Sequence, residues 1–150
     1  MHFVTGGAYN GKKKWVNRLY NNNKADDIRW IEAGKKNIWP DLNKTIKNIL
    51  VLNNFEQWIW TWLQEFPDME SIRDFGYEKI LELVTWEKKS KMHQVVVIGN
   101  DMSKGVVPMD KKLRDWRDVT GWIYQDIINL ANEVDLIWYG VSTKLKGREG

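Results

Sequence analysis

Apolar residues fall along this chain in two rhythms. Short apolar runs stand at Met1–Thr5, Ile49–Leu52, Gln94–Ile98 and Val134–Tyr139. Each has the length of a buried strand, and Val95-Val96-Val97-Ile98 is a nearly continuous β-branched run, the pattern of a parallel strand covered on both faces. Between the runs, apolar residues recur at helical spacing. Trp58, Ile59, Trp62 and Leu63 follow Asn54, and Ile72, Phe75, Ile80, Leu83 and Val84 follow Pro67. Trp116, Val119, Ile123, Ile127 and Leu130 repeat at threes and fours and form the clearest amphipathic stripe of the chain. Strands alternating with helices predict an α/β fold, with a mostly parallel central sheet and helices on both faces. Residues 21–48 are polar, rich in Lys and Asn, and yield no assignment. Residues 144–150 read as a frayed tail.

Composition narrows the class. With 150 residues, 43% hydrophobic and 29% charged, and only 3 Pro, the sequence reads as one domain over residues 1–150. The absence of Cys removes thiolate catalysis, Cys-ligated metal centres and a disulfide framework. The opening Met-His-Phe-Val-Thr-Gly-Gly reaches its glycines too early for a signal peptide. No run approaches the roughly 18 apolar residues of a membrane span. The expectation is therefore a cytoplasmic protein with no membrane partner. Ten Trp recur mainly at helical spacing, which assigns them to the core or to subunit contacts rather than to base-stacking platforms.

The net charge of +3 hides a segregation: residues 1–48 carry 10 Lys/Arg against 4 Asp/Glu, and residues 49–87 carry 2 against 8. The basic block is either a solvated face or an anion-binding region. It is the sole support for a nucleic-acid binder, so no nucleic-acid partner is expected.

The first strand runs into Gly6-Gly7-Ala8-Tyr9-Asn10-Gly11-Lys12-Lys13, followed by the helix-compatible Lys14-Trp15-Val16-Asn17-Arg18-Leu19-Tyr20. This is the Gly-x4-Gly-Lys part of a P-loop in its strand–loop–helix setting. Glycines let successive backbone N–H groups turn onto a phosphate, the helix start adds its positive end, and Lys12 would reach the β and γ phosphates. The alternative reading of the same turn is packing alone. Position 13 would carry a hydroxyl for Mg²⁺ in the full motif, and here it is Lys. A strand-end acid would also help to hold Mg²⁺ through water. The candidate strand at Ile49–Leu52 ends in Asn53-Asn54, where Asn53 could orient a water. Glu56, Glu32 and Asp101 are further carboxylates, each also readable as an ordinary surface charge.

The C-terminal third carries Gly99-Asn100-Asp101-Met102-Ser103-Lys104-Gly105-Val106-Val107-Pro108 and then Leu113-Arg114-Asp115-Trp116-Arg117-Asp118-Val119-Thr120-Gly121. Gln125, Ala131-Asn132-Glu133-Val134-Asp135-Leu136, Gly140 and Lys144-Leu145-Lys146 follow. Together with the glycine-rich opening, these segments resemble the bifunctional adenosylcobinamide kinase/adenosylcobinamide-phosphate guanylyltransferase family of cobalamin biosynthesis. The resemblance covers residues 1–20 and about 93–146, with a fainter match from Ile49 to Trp58.

The resemblance implies a RecA-like P-loop fold and a homotrimer. It also implies phosphoryl transfer from GTP or ATP to the aminopropanol hydroxyl of adenosylcobinamide, followed by GMP transfer through a histidine. By position, Gly6, Gly7, Ala8, Tyr9, Asn10, Gly11, Lys12 and Lys13 would bind nucleotide, and Asn53 stands where the family has its acid. Asn100, Gly105, Pro108 and Arg117 would shape the neighbouring loops and helix. Lys12 and Arg117 are the candidate catalytic cations, with a pairing of Arg117 to Asp118 or Asp115 as the alternative. Asn53 and Glu56 are the candidates for orienting Mg²⁺ or water.

Three departures bear on activity. The segment that holds the GMP-accepting histidine is shortened here to residues 21–48 and contains no His. Neither His2 nor His93 matches that position. The P-loop hydroxyl and the strand-end acid are replaced by Lys13 and Asn53. The sequence therefore leads to a nucleotide-binding adenosylcobinamide kinase that has lost the guanylyltransferase step. Its rival is a non-catalytic paralogue serving as nucleotide or corrinoid sensor or as partner subunit.

Overall fold

A computed structural model describes residues 1–21, 25–34, 38–103, 105 and 107–147. The order is β1 (His2–Gly6), α1 (Lys12–Tyr20), a 3-10 turn at Ala25–Asp27, β2 (Ile28–Glu32), β3 (Ile49–Asn53) and α2 (Phe55–Glu65). It continues with α3 (Met69–Lys88), β4 (Gln94–Asn100), α4 (Lys111–Leu130), β5 (Glu133–Trp138) and β6 (Val141–Lys146).

The six strands form one sheet in the order β2-β3-β4-β1-β5-β6. Every pairing is parallel except β5 with β6. This is the mostly parallel α/β sheet expected of a P-loop fold, with the loop strand β1 near its centre. Because crossover helices return the chain to the same sheet edge, the C-terminal ends of β1, β3 and β4 lie side by side.

The period of two along each strand divides the core between the two faces. Phe3, Leu50, Leu52, Val95, Val97 and Val134 point to one side and pack against α2, α3 and α4 through Trp58, Ile59, Ile72, Ile80, Leu83, Ile123 and Ile127. Val4, Val51, Val96, Ile98 and Ile137 point to the other and pack against Val16 and Trp15 of α1. Trp58 and Phe55 are fully buried, and Trp62 and Trp86 nearly so, so these rings are core residues. The stripes of α3 and α4 start from capped ends: the Asp68 carboxylate accepts from the Ser71 N–H, and Asp110 accepts from the N–H groups of Lys112 and Leu113. Among the described residues, no helix is long and apolar enough to cross a membrane.

Two assignments differ from the sequence reading. The unassigned polar stretch contains an edge strand, β2, whose sequence Ile-Arg-Trp-Ile-Glu alternates but is too short and polar to stand out. Residues 144–146, read as part of a tail, belong to β6, which is exposed at every position. Pairing with β5, with Lys144 reaching Glu133 and Asp135, accounts for that strand rather than burial. Residues 148–150 of that expected tail, together with Lys104 and Val106 of the C-terminal motif, lie outside the described residues.

Candidate functional site

The loop after β1 is shaped by three close approaches. Gly6 has φ +148°, and a Cβ there would sit 2.2 Å from the Ile137 carbonyl oxygen, so a side chain is excluded by the backbone of β5. Asn10 is buried, its N–H donates to the Gly7 carbonyl at 3.3 Å, and its own carbonyl accepts the Gly140 N–H at 2.8 Å. Gly11, in the left-handed region at φ +88°, turns the chain into α1. The loop is thus clamped to the β5–β6 turn on one side. Tyr9 and Tyr139 have positive φ values of 61° and 48°, and both rings are exposed. The Tyr9 ring stands in solvent rather than folding into the loop.

The loop borders a cleft of about 540 Å³ lined by Ala8, Tyr9, Gly11, Lys12, Lys13, Lys14, Asn53, Asn54 and Asn100. Three consecutive lysines and the ends of β3 and β4 therefore share one concavity. A larger cleft of about 620 Å³ lies between residues 39–43 and α3. It is bordered by Asp41, Glu78 and Glu82 as well as Lys79 and Lys89 and lacks a glycine-rich loop, so the chemistry of an anion site favours the smaller one.

Lys12 is 7% exposed, and its Nζ donates to the Gly7 carbonyl at 2.7 Å. Burial lowers its pKa, and the nearby Glu56 carboxylate opposes that shift. Among the described residues the ammonium has no direct ion pair, and it is held at the loop by a backbone carbonyl.

Asn53 and Glu32 are register partners at the ends of β3 and β2. Ile28 and Trp30 face α1, so the two-residue period sends Glu32 to the same side. There its carboxylate accepts from Asn53 Nδ2 at 3.0 Å on both oxygens, from Asn54 Nδ2 at 3.3 Å and from Lys13 Nζ at 2.8 Å. The two departures from the P-loop pattern, at positions 13 and 53, thus converge on a single carboxylate. Magnesium would need a hydroxyl and an acid here. The positions offer an ammonium and an amide that presents its NH₂, so the donor set does not fit the ion.

Glu56 is not a surface charge. It lies in the first turn of α2, 2% exposed, and accepts the Asn100 N–H at 3.1 Å, while the Trp116 indole N–H donates to its backbone carbonyl at 2.8 Å. Burial pushes its carboxyl up to about 7, with the Asn100 N–H and Lys12 pulling the other way. Turned inward beneath the cleft, it ties α2 to the end of β4. Tyr124 completes that tie by donating its O–H to the Asn100 carbonyl at 2.9 Å. A Cβ on Gly99 would strike the same Tyr124 oxygen at 2.2 Å, which explains the glycine.

The raised Glu56 carboxyl makes stability depend on pH with a definite sign. Between the unfolded value of 4.5 and the folded value of about 7, the folded chain holds the extra proton, so stability falls as pH rises through that window, by about 3 kcal/mol. Glu56→Gln removes the ionisation but keeps an acceptor for Asn100. It is expected to be about 3 kcal/mol more stable than the parent at pH 8 and nearly equal to it at pH 4.5, read by urea unfolding. An equal effect at both pH values would exclude Glu56 as the titrating group.

Arg117 does not line the cleft. Its guanidinium bonds the neighbouring Asp118 at 3.0 and 3.2 Å, the surface pairing that the sequence left as the alternative. Gly105 adopts a positive φ of 106°, and the Pro108 carbonyl accepts from Arg114 at 3.1 Å, so both shape the loop before α4. His93 stacks on Trp86 at 3.9 Å, and its Nδ1 lies 2.7 Å from the Trp86 carbonyl. His2 is buried between Tyr20 and Asp135, each at 2.6 Å, and burial lowers its pKa. With Nε2–H donating to Asp135 and the Tyr20 O–H donating to Nδ1, a neutral ring satisfies both contacts. Neither histidine opens onto the cleft.

The family model described as cobinamide kinase/cobinamide phosphate guanyltransferase matches residues 29–145. The bifunctional adenosylcobalamin biosynthesis protein CobU of Escherichia coli (strain K12) is 36% identical over 53 residues, which is 35% of this chain and 29% of that protein. The protein of the same name from Salmonella typhimurium is 34% identical over 53 residues, with the same coverage. The matched stretch spans under a third of the length of these curated relatives.

Proposed function

The chain belongs to the cobinamide kinase/cobinamide phosphate guanyltransferase family, and from that premise we propose that it binds a nucleoside triphosphate, GTP or ATP, on the Gly6–Lys13 loop. In this reading it transfers the γ-phosphoryl group to the aminopropanol hydroxyl of adenosylcobinamide. The observation that carries the reading is the buried Lys12 ammonium at the base of a glycine-rich loop, in a cleft shared with the ends of β3 and β4.

The chemistry asked of the protein is positioning and charge neutralisation. The loop amides and the start of α1 orient the phosphates, and Lys12 stabilises charge on the β and γ oxygens. Asn100, fixed by Glu56 and Tyr124, borders the space into which an acceptor hydroxyl would enter. The proposal leaves Arg117 in its ion pair and gives it no catalytic task. Guanylyl transfer is absent from the proposal, because neither His2 nor His93 is available to carry GMP.

The test is incubation of the purified protein with GTP or ATP and adenosylcobinamide, with product analysis by mass spectrometry. Phosphorylated corrinoid supports the kinase; nucleotide binding without product supports the second reading, a non-catalytic sensor or partner subunit. That second reading is favoured by the engagement of Lys13 and Asn53 with Glu32 in place of a metal-holding pair. A single cytoplasmic domain assembling as a homotrimer completes the proposal, and sedimentation equilibrium measures the assembly.

A further inference from the structure

We propose that the phosphate cleft is built to work without a divalent cation, with Lys13 as its resident positive charge and Glu32 and Asn53 as the groups that hold Lys13 in place. The inference rests on the reading of the Gly6–Lys13 loop as a phosphate site.

In a metal-dependent P-loop, a hydroxyl on the first helical turn and a carboxylate at a strand end hold a cation that bridges phosphate oxygens. Magnesium demands six oxygen ligands in near-octahedral array. Here the helix position carries a donor-only ammonium and the strand end carries Asn53, whose NH₂ group faces Glu32. The Glu32 carboxylate already accepts from Lys13, Asn53 and Asn54 at 2.8 to 3.3 Å. For Glu32 to serve a metal instead, the ion would have to strip these donors and settle beside a fixed ammonium.

The same contacts suit Lys13 to the ion's task. Lys13 is one of the residues that line the cleft, and its ammonium has three N–H donors, of which Glu32 needs one. The ammonium also lies over the Trp30 ring, 5.4 Å from its centroid. Strand register makes the arrangement coherent: Glu32 and Asn53 are direct partners, and both face α1, where Lys13 begins the helix together with Lys12. Glu32 thus serves both positions, as the counterion of Lys13 and as the acceptor of the Asn53 amide. The ligand class that follows is a metal-free polyphosphate, as a nucleoside triphosphate or as the inorganic chain.

The experiment is calorimetric titration with ATP, GTP and inorganic tripolyphosphate, in excess EDTA and again in millimolar Mg²⁺. The expected result is that affinity in EDTA equals or exceeds affinity in Mg²⁺ by up to about tenfold, since the metal cancels charge that Lys13 would otherwise meet. A tenfold or greater loss in EDTA overturns the inference and leaves the phosphate-site reading standing, whereas no binding in either buffer removes both. Lys13 is 62% exposed, so Lys13→Gln is expected to fold normally, with an unchanged melting temperature. Its metal-free affinity is expected to drop about tenfold, as for loss of one charge-assisted bond. An unchanged metal-free affinity would show that Lys13 is not the cation. The double variant Lys13→Ser with Asn53→Asp is expected to reverse the preference, binding nucleotide more tightly in Mg²⁺ than in EDTA; a variant still indifferent to Mg²⁺ would overturn the assignment of the metal preference to positions 13 and 53.

Discussion

Replacing Lys12 with alanine is expected to weaken nucleoside triphosphate binding by about a hundredfold or more, and to lower any phosphoryl transfer by at least as much. The size of the effect follows from burial. The Lys12 ammonium is largely withdrawn from water and bonded to the uncharged Gly7 carbonyl, so its attraction for phosphate is little screened. Phosphate contacts by the exposed Lys13 and by Lys14 are worth less for the same reason. Loss of Lys12 also removes one of the influences that hold the Glu56 carboxyl down, so the pH midpoint of that group moves upward in the variant. Lys12→Met, which keeps the buried methylene stem, separates lost charge from lost packing. Calorimetry with ATP and GTP, beside circular dichroism to establish the fold, measures both. Undiminished binding by the folded alanine variant would remove the loop from the phosphate-site reading.

Gly6→Ala carries the largest expected cost in stability. The φ of +148° is one that side-chain-bearing residues rarely adopt, and the added Cβ would meet the carbonyl oxygen of Ile137 at 2.2 Å. That oxygen belongs to the neighbouring strand and has no rotamer by which to withdraw. Backbone strain and overpacking together give a destabilisation of about 3 to 5 kcal/mol. Gly11→Ala is the internal control: its φ of +88° is also unfavourable, but the nearest atom to a Cβ is the Gly140 Cα at 3.5 Å. A loss of about 1 kcal/mol is expected there. Urea unfolding of the two variants distinguishes them. Equal losses would mean that the β1–β5 contact yields readily and does not fix the loop.

Much of the architecture is written locally. Val95 to Ile98 announces a central strand because burial on both faces leaves no polar position, and the structure places it as β4 between β3 and β1. The stripe from Trp116 to Leu130 specifies α4 by its spacing, and the turn from Gly6 to Lys12 is marked by Gly6 and Gly11, whose φ values of +148° and +88° favour glycine. Edge strands are less legible. β2 and β6 are short, β2 half-buried and β6 exposed throughout, and each is held as a strand by hydrogen bonds to a single neighbour, β3 and β5.

By itself, then, the sequence determined the alternation of strands and helices, the stripes that meet in the core, and the glycine-rich loop with Lys12 and Lys13. Each of these follows from residue types a few positions apart. Only the tertiary structure decided where the carboxylates go. Glu56 reads like any polar residue near a helix start, and is buried because α2 lies against the end of β4. Glu32 stands in a stretch without clear rhythm, and becomes the partner of Lys13 and Asn53 because strand register sets β2 beside β3. Arg117, equally plausible on paper as a phosphate ligand, lies outside the lining of the loop's cleft and bonds its neighbour Asp118. Burial and register are sums over contacts distant in the chain, and the charge and hydrogen bonding of a site follow from them rather than from the motif that marks its position.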